Sequence, residues 1–307
     1  MILNPAASGG AGETMLPRLE QALAGRGISA EIRQTRGPGH ATDLARTAVT
    51  GGASLVIVVG GDGTIHEVAN GLVMLAGEIP PIGIIPVGTG NDFFRMLGGS
   101  TAPGAALDEM LAGDIERFEV GRVRYNETES VFVNLLGLGV DVEVLRKRAE
   151  FPRLKGLTQY LVALVSALKS FRPVSVRVDF EVAGDPGEKS FVENRTILMA
   201  VTVGPSVGGG FLLNPDASPL DGLLDLFFVE PLGILKLARY IPRVIRGTHM
   251  GLPELIQRRI TRATIERSDG EPFFFEMDGE GMPDPVNRLE LEVCPALFPV
   301  LVPRRDP

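Results

Sequence analysis

One segment of the chain joins a short apolar run, a glycine-rich loop and an amphipathic helix pattern without a break. Residues 55–59 read LVIVV, residues 60–64 read GGDGT, and residues 65–73 carry apolar side chains at helical spacing. A short β-branched run that leads straight into a loop is typical of a strand buried on both faces of a parallel sheet. Thr64 and Glu67 fit the T-x-x-E capping box of a helix start. The segment therefore predicts a strand, loop and helix unit of an α/β domain.

Two further apolar runs end in loops of the same kind. MIL at residues 1–3 leads into NPAASGG, and IGIIPV at residues 82–87 leads into GTGND. Thr35 closes another strand-like stretch, ahead of a Gly-Pro-Gly turn. Because the carboxyl ends of parallel strands share one edge of a sheet, we expect these loops to converge on one ligand-binding crevice.

The residue types of the GGDGT loop favour a phosphate ligand. Glycines allow the backbone to approach an anion closely, and the free N–H groups at a helix start bind phosphate oxygens. The Asp62 carboxylate beside such phosphates is a usual ligand for Mg²⁺. Neither the Walker A pattern nor G-x-G-x-x-G is present in its expected form, which disfavours a P-loop enzyme and a nicotinamide dehydrogenase. A plain Gly/Asp turn is the alternative interpretation.

Composition excludes several other classes. Thirty Lys and Arg against 38 Asp and Glu give a net charge of −8, which disfavours nucleic-acid binding. The single cysteine, Cys294, cannot form an internal disulfide, and the three histidines are too scattered for a zinc motif. The longest uncharged run, residues 196–215, contains Pro205 and three consecutive glycines that would break a spanning helix. We expect a cytoplasmic protein without an integral membrane segment.

The second part of the chain has a different texture. From about Phe118 onward, strand-like segments alternate with turns, which predicts a β-rich domain. The closing run PALFPVLVP is apolar and is expected to return to the first domain. We predict an α/β nucleotide-binding domain over residues 1–120, joined by residues 295–307, and a β-rich domain over residues 121–294.

Two helical patterns interrupt the β-rich part. Residues 157–171 carry one apolar stripe, and a second stripe lies beside Lys236, Arg239, Arg243 and Arg246. The first pattern could close a pocket for acyl chains, and the basic face of the second could contact anionic lipid headgroups. Packing on a sheet with a solvated basic edge is the interpretation we favour.

The motifs together resemble the diacylglycerol kinase catalytic-domain family, in particular the bacterial soluble lipid kinases. The matching segments are NP with SG at residues 4–9, GGDGTIHEVANGL at 60–72, PVGTGNDF at 86–93, FVNLLGLGVD at 132–141, GGGFLLNPDASPLDGLLDL at 208–226 and MDGE at 277–280. GGDGT alone also occurs in NAD kinases and, loosely, in phosphofructokinases. The resemblance implies a Rossmann-like three-layer nucleotide domain of the NAD kinase and diacylglycerol kinase type. It also implies a β-rich sandwich domain, with the active site between the two.

The resemblance also implies roles for single residues. Asp62 would lie near a catalytic Mg²⁺, and Glu280 would be the catalytic base. Asp221 with the carbonyl groups of Ser218 and Leu223 would hold a structural Mg²⁺, whereas Glu119 stands where the family commonly has Asp. The implied nucleotide-binding residues are Asn4, Pro5, Ser8, Gly9, Thr35, Gly61, Asp62, Gly63, Thr64, Glu67, Gly88, Thr89, Asn91 and Asp92.

The DGE segment at residues 278–280 offers two carboxylates for proton transfer. In a strand, Asp278 and Glu280 would point to opposite faces, so only one would reach a crevice. A carboxylate that accepts the proton of an alcohol suits phosphoryl transfer, and a surface acidic turn is the alternative.

The sequence is thus expected to encode a kinase that uses ATP and Mg²⁺ to phosphorylate a lipid hydroxyl such as that of diacylglycerol. It would act peripherally at the inner face of the membrane. An NAD kinase-like enzyme and a non-catalytic nucleotide-binding regulatory protein are the alternatives. The identity of the lipid and the oligomeric state, including a homodimer, stay open.

Overall fold

The computed structural model describes residues 1–75, 77–154, 156–184 and 187–304. It divides into two compact units. Unit 1 comprises Met1–Phe118 with Ala296–Pro307, and unit 2 comprises Glu119–Pro295. The last three residues of the segment predicted to join the nucleotide domain, 305–307, lie outside the described residues.

Unit 1 is an α/β domain with a parallel sheet, which confirms the predicted fold class. Its strands lie in the order β2, β1, β3, β4, and Val300 pairs in parallel with Ile82 of β4. The elements are β1 Ile2–Leu3, α1 Ala7–Ala24, β2 Arg33–Gln34, α2 His40–Thr50, β3 Val56–Gly60, α3 Asp62–Val73, β4 Ile82–Pro86, α4 Asp92–Leu97 and α5 Pro103–Leu111.

The central strand β3 is buried along its whole length. Ile57 and Val59 pack with Leu23 of α1 and Leu107 of α5 in one apolar cluster. Helices α2 and α3 contact each other, and in addition α2 contacts β1 and α3 contacts β3. A strand covered on both faces requires apolar residues at every position. This double burial explains why the LVIVV run does not alternate with polar residues.

Unit 2 is β-rich, as predicted. Strands β5 Asp114–Tyr125 and β15 Arg288–Val302 have residues in both units. The elements within unit 2 are β6 Thr128–Phe132, β7 Leu135–Gly139, α6 Val140–Arg148, α7 Gly156–Ser170, β8 Val174–Val182, β9 Lys189–Thr196, β10 Leu198–Thr202, β11 Leu224–Val229, α8 Ile234–Ile245, β12 Leu255–Arg267, β13 Phe275–Met277 and β14 Glu280–Gly281.

Antiparallel pairing joins the strands of unit 2. The order is β14, β13, β7, β10, β11, β12, and β12 pairs further with both β8 and β15. Val176, Val178 and Phe180 alternate along β8 and enter a core cluster with Leu226 and Phe228 of β11. Burial on one face produces the alternating pattern.

Helices α7 and α8 cover part of unit 2. Helix α7 buries Ala163, Leu164 and Ala167, and α8 half-buries Leu237 and Ile241 in a neighbouring cluster. The stripe of α7 therefore packs within the unit, as the favoured interpretation predicts, whereas α8 packs only in part, because Leu235 is 86% exposed. Within the described ranges, no helix has both the length and the apolar character needed to cross a membrane.

Candidate functional site

The GGDGT loop of unit 1 lies at the carboxyl edge of the parallel sheet, where such sheets bind ligands. Strand β3 ends at Gly60 and α3 begins at Asp62. Gly60 has no room for a side chain, because a Cβ there would lie 2.5 Å from Oγ1 of Thr64. The first N–H groups of a helix lack intrahelical partners and carry the positive end of its dipole. The start of α3 is therefore suited to a phosphate group.

Close backbone contact joins this loop to the loop after β4. A Cβ on Gly61 would lie 2.9 Å from Cα of Gly88, so both positions require glycine. Asn91 closes the second loop: its Oδ1 accepts a hydrogen bond from the Gly88 amide at 2.9 Å, and its Nδ2 donates to the Gly88 carbonyl at 3.0 Å. The structure thus brings two of the predicted nucleotide-binding loops together.

The loop after β1 contacts the same place. Nδ2 of Asn4 donates to Oγ1 of Thr64 at 3.0 Å, and the Asn4 amide donates to the Val59 carbonyl at 2.9 Å. Ser8 and Gly9 follow in the left-handed region, with φ of 53° and 72°. This conformation is costly for Ser8 and accessible to glycine. Asn4 therefore holds the first loop against the start of α3.

Asp62 links α3 to α4. Its Oδ1 accepts a hydrogen bond from the Phe93 amide at 3.0 Å. The neighbouring Asp92 is buried, and its Oδ1 lies 3.8 Å from Nε of Arg95. A Mg²⁺ ion bound to nucleotide phosphates takes one or two carboxylates from a protein and keeps several waters. The carboxylate of Asp62, in the loop predicted to bind phosphate, fits that donor set.

Glu67 has a different role from the one its sequence position suggests. Its Oε1 accepts from the Gly39 amide at 2.8 Å and its Oε2 from the Ala41 amide at 2.9 Å, so Glu67 caps α2. The predicted capping box of Thr64 and Glu67 is wrong, because Gly61 is the N-cap of α3 and no side chain caps it. Glu67 instead fixes the loop after β2.

The other predicted nucleotide-binding residues of unit 1 differ in exposure. Thr35 is buried, and its amide donates to the Leu3 carbonyl at 2.8 Å. Pro5 and Gly63 are half-buried, whereas Thr89 is exposed. The buried Thr35 supports the sheet edge, and Thr89 is the most accessible of the four.

The DGE segment of unit 2 forms a tight hairpin. Asp278 and Gly279 have φ of 51° and 89°, and Met277 pairs with Glu280 across the turn. Two consecutive left-handed residues are typical of the turns that join antiparallel strands. The expectation that Asp278 and Glu280 lie on opposite faces of one strand is wrong, because the turn separates them. Asp278 is buried and Glu280 is exposed.

Asp278 anchors this hairpin. Its Oδ2 accepts a hydrogen bond from the Val133 amide at 3.0 Å, and its Oδ1 accepts from the amides of Asn134 and Leu135 at 2.8 and 3.0 Å. Charge-assisted bonds to backbone amides are among the stronger hydrogen bonds in proteins. Asp278 is therefore committed to positioning the hairpin that carries Glu280.

The predicted structural metal residues of unit 2 lie in one turn. Oδ1 of Asp221 accepts a hydrogen bond from the Leu223 amide at 3.1 Å, and Oδ2 pairs with the guanidinium of Arg259. Oγ of Ser218 accepts from the Leu220 amide at 3.3 Å. Among the described residues, no group of three or more His, Cys, Asp and Glu side chains could hold a metal. A site here would rely on main-chain carbonyl groups.

Glu119 adds a second carboxylate beside this turn. Its Oε2 accepts a hydrogen bond from the Gly222 amide at 2.5 Å, while Oε1 is buried without a hydrogen-bond partner in the described part of the chain. Burial raises the pKa of Glu119 to about 7; the hydrogen bond from the Gly222 amide lowers this pKa, and the negative charge of Asp221 raises it. Burial likewise raises the pKa of Asp225 to about 6. Arg259 pairs with Asp221, and its Nε lies 4.0 Å from Oδ1 of Asp225. Oε1 of Glu119 is therefore the oxygen here that a hard cation such as Mg²⁺ would suit.

One buried polar cluster was not predicted from the sequence. Glu276 of β13 and Asp141 of α6 are 1% and 6% exposed, and Tyr160 of α7 donates to Oδ1 of Asp141 at 2.7 Å. Burial, and then the charge of Asp141, raises the pKa of Glu276 well above its usual range. A glutamate inside the apolar run FFFEM is the signal that could have identified it.

An apolar cavity of about 100 Å³ lies within unit 2. Helices α7 and α8 contribute Leu164 and Ile241, and strands β10 and β11 contribute Leu198 and Phe227. Asp141 is one of the few polar residues in its wall. The cavity thus adjoins the buried cluster of Glu276, Asp141 and Tyr160.

Both units match known protein families. Residues 1–123 match the diacylglycerol kinase catalytic domain, and residues 134–302 match the YegS C-terminal NAD kinase beta sandwich-like domain. A diacylglycerol kinase of Mycobacterium tuberculosis (strain CDC 1551 / Oshkosh) is 32% identical over 309 residues, which covers 99% of this chain and 94% of that protein. The chain belongs to the diacylglycerol kinase family. The family is one of lipid kinases, which are phosphotransferases, and the resemblance seen in the sequence is confirmed.

Solved structures share the fold of this family member. A diacylglycerol kinase from Bacillus anthracis str. Sterne has a TM-score of 0.69 at 23% identity, covering 98% of this chain and 95% of that chain. An NAD kinase from Archaeoglobus fulgidus in complex with ATP has a TM-score of 0.52 at 15% identity, covering 99% and 93%. The α/β domain and the β-sandwich domain are therefore of the NAD kinase-like type. The roles of single residues stay predictions.

Proposed function

We propose that this lipid kinase transfers the γ-phosphate of ATP, in the presence of Mg²⁺, to the hydroxyl of a diacylglycerol-like lipid. The observation that carries the choice of acceptor is the apolar cavity beside α7 and α8. A polar dinucleotide would leave its hydrogen-bonding groups unpaired against such walls, whereas each buried methylene of an acyl chain contributes about 0.8 kcal/mol. A volume of about 100 Å³ holds part of one chain, so a longer chain requires the two helices to move outward.

We assign the nucleotide to unit 1. The first amides of α3 and the contact between Gly61 and Gly88 support a phosphate position there. Asp62 would hold a Mg²⁺ ion, which neutralises charge on the transferring group when bound. Asn4 and Asn91 keep the surrounding loops in place through their side-chain hydrogen bonds. These residues therefore orient the phosphates for transfer.

We assign proton transfer to Glu280. The lipid hydroxyl gives its proton to the Glu280 carboxylate as its oxygen forms a bond to the γ-phosphorus, and the bond from that phosphorus to the β,γ-bridging oxygen breaks to release ADP. Support comes from the exposure of Glu280 on a hairpin that Asp278 anchors through three backbone hydrogen bonds. Asp278 cannot accept the proton without weakening those bonds.

A second, structural Mg²⁺ is assigned to unit 2. Asp221 and the carbonyl groups of Ser218 and Leu223 would hold it, next to Oε1 of Glu119, which has no hydrogen-bond partner among the described residues. The cation would offset the repulsion among the carboxylates of Glu119, Asp221 and Asp225. Its role is to stabilise unit 2, and no chemical step depends on it.

Peripheral membrane contact is assigned to the exposed side of α8. The helix and the residue after it carry the exposed Arg239, Arg243 and Arg246, whereas Lys236 pairs with Glu254, on a chain with a net charge of −8. Leu235 beside them is 86% exposed. A basic residue near an anionic bilayer contributes about 1 kcal/mol, and an exposed leucine adds apolar contact. The face therefore suits an anionic lipid surface.

A transfer assay with labelled γ-phosphate tests the activity. Diacylglycerol, other lipid alcohols and NAD are offered as acceptors in mixed micelles, and label is expected in diacylglycerol. Label in NAD and in no lipid would identify an NAD kinase-like enzyme. Nucleotide binding without label in any acceptor would identify a regulatory protein.

Sedimentation with phosphatidylglycerol or phosphatidylcholine vesicles tests the membrane contact of α8. We expect stronger binding to the anionic phosphatidylglycerol vesicles, and equal binding to both would contradict this contact.

A further inference from the structure

A chain of buried polar groups leads from α7 to the DGE hairpin. The Tyr160 hydroxyl donates to Oδ1 of Asp141 at 2.7 Å, and Oδ2 of Asp141 and Oε1 of Glu276 approach the same backbone position, that of Gly137. Oε2 of Glu276 accepts a hydrogen bond from the Gly279 amide at 2.8 Å. Gly279 is the residue immediately before Glu280. These contacts therefore connect α7, which lies beside the apolar cavity, with the hairpin that carries the proposed catalytic base.

Gly137 makes room for the two carboxyl groups. It lies opposite Glu276 in the pairing of β7 with β13. A Cβ on Gly137 would lie 2.9 Å from Oδ2 of Asp141 and 2.9 Å from Oε1 of Glu276. Both oxygens thus crowd the same bare backbone position. A larger residue there would push the two carboxyl groups away.

Two buried carboxyl groups this close favour a state in which one of them is protonated. Two ionised carboxylates have only acceptor oxygens, so a hydrogen bond between them forms when one is protonated. The titratable or charged groups facing Glu276 are Asp141 of α6 and Asp278 of the turn, with Tyr160 of α7 beyond Asp141 and Arg148 acting on Tyr160. Burial is the main reason that the pKa of Glu276 is raised. In the folded state Glu276 therefore keeps its proton to higher pH than it does in the unfolded chain.

We propose that the buried pair of Glu276 and Asp141 positions the hairpin that carries Glu280, a role that rests on the proposed lipid kinase activity. Asp278 fixes its own end of the turn, whereas Glu276 fixes the amide of Gly279 and hence the direction in which the chain reaches Glu280. Tyr160 extends this support to α7. Glu276 is a positioning residue and touches no substrate.

Substitution at Glu276 tests the role through kcat. In Glu276→Leu the Gly279 amide loses its acceptor, and we expect kcat for lipid phosphorylation to fall by about 10²-fold, the cost of a misplaced catalytic group. The Kd of ATP from calorimetry should not change. Glu276→Gln should restore kcat, because its amide donates to Asp141 and its carbonyl accepts from Gly279. Tyr160→Phe should lower kcat by a smaller factor.

Two results would overturn the positioning role. One is a Glu276→Leu protein with the kcat of the wild type, and the other is a Glu276→Gln protein as impaired as Glu276→Leu. If Glu276→Leu does not fold, Glu276→Gln and Tyr160→Phe decide the matter. If the wild type phosphorylates no lipid, both the proposed lipid kinase activity and the positioning role are overturned. If the wild type phosphorylates lipid normally and either of the two results above is found, only the positioning role of Glu276 is overturned.

Thermal unfolding without substrate tests the proton of Glu276 separately. The folded state keeps the proton of Glu276 after the unfolded chain has lost it, so this group stabilises the protein below its unfolded pKa and the stabilisation is lost as pH rises. Wild type should lose more stability with rising pH than Glu276→Gln, whose amide does not titrate. The exposed Glu271→Gln serves as control and should follow wild type. Parallel curves for wild type and Glu276→Gln would exclude this proton.

Discussion

Oδ1 of Asp62 accepts a hydrogen bond from the amide of Phe93 at 3.0 Å, which ties the glycine-rich loop to the start of α4. Asp62 therefore combines two properties. Its oxygen is an acceptor that holds one loop against another, and its charge lies in the first turn of α3. The two properties can be separated by substitution, because an amide keeps an acceptor oxygen and has no charge.

Asp62→Asn should abolish most turnover and leave the fold intact. The asparagine oxygen can still accept the Phe93 amide, but the charge that would hold Mg²⁺ is lost. Loss of one preorganised electrostatic group costs about 10²–10³-fold in kcat. Lipid phosphorylation and thermal unfolding measure the two effects, and Asp43→Asn in the first turn of α2 is the matched control. A folded Asp62→Asn protein with wild-type activity would remove Asp62 from the metal site.

Glu280→Gln should separate chemistry from nucleotide binding. A general base contributes about 10²–10⁴-fold to rate, whereas the nucleotide is assigned to unit 1. We expect kcat to fall by orders of magnitude while calorimetry shows an almost unchanged Kd for ATP. The amide keeps the shape of the side chain, so lost packing cannot imitate the effect. Loss of ATP binding together with activity would make Glu280 a ligand or a structural residue.

A matched pair of variants distinguishes Glu280 from its neighbour. Asp278→Asn keeps the shape of the side chain but weakens three charge-assisted bonds to backbone amides, so it should lower the melting temperature as well as activity. Glu280→Gln should lower activity alone. Equal melting temperatures and a greater loss of activity in Asp278→Asn would move the base to Asp278.

Local sequence was sufficient to predict the loops of unit 1. Buried strands give continuous apolar runs, and a glycine-rich loop marks the point where each strand ends, so Gly61 and Gly88 could be placed at one sheet edge before the structure was known. The β-rich character of unit 2 followed from alternation in the same way. Both predictions depend on patterns within a few residues.

The destinations of buried carboxylates could not be predicted in this way. Glu67 follows Thr64 at capping-box spacing, yet its carboxylate binds the Gly39 and Ala41 amides on another helix. Asp278 binds the amide of Val133, a residue 145 positions away. Tertiary packing selects such partners, and no local spacing encodes them. The hairpin geometry of Asp278 and Gly279 was missed because the segment reads equally well as a strand.

Mg²⁺ should stabilise unit 2 through Asp221. Binding to the folded state alone stabilises by mass action, by about 2.7 kcal/mol at a concentration of 100 Kd. The melting temperature of wild type should therefore rise with Mg²⁺ more than that of Asp221→Asn, and the exposed Asp284→Asn should behave as wild type. Arg259→Gln should increase the response, because its guanidinium pairs with Asp221. Equal Mg²⁺ shifts in wild type and Asp221→Asn would contradict a metal there.

His249 should make the folded state sensitive to mild acid. It is fully buried, its Nε2 lies 2.9 Å from the Leu213 carbonyl oxygen, and burial lowers its pKa below 6.5. The unfolded chain therefore takes up a proton first as pH falls through 6.5, and stability is lost at up to about 1.4 kcal/mol per pH unit for one proton. Chemical denaturation at several pH values measures this slope. His249→Gln should flatten it, since glutamine can still donate to Leu213. If the free energy of unfolding of His249→Gln falls as steeply with decreasing pH as that of the wild type, groups other than His249 cause the loss of stability.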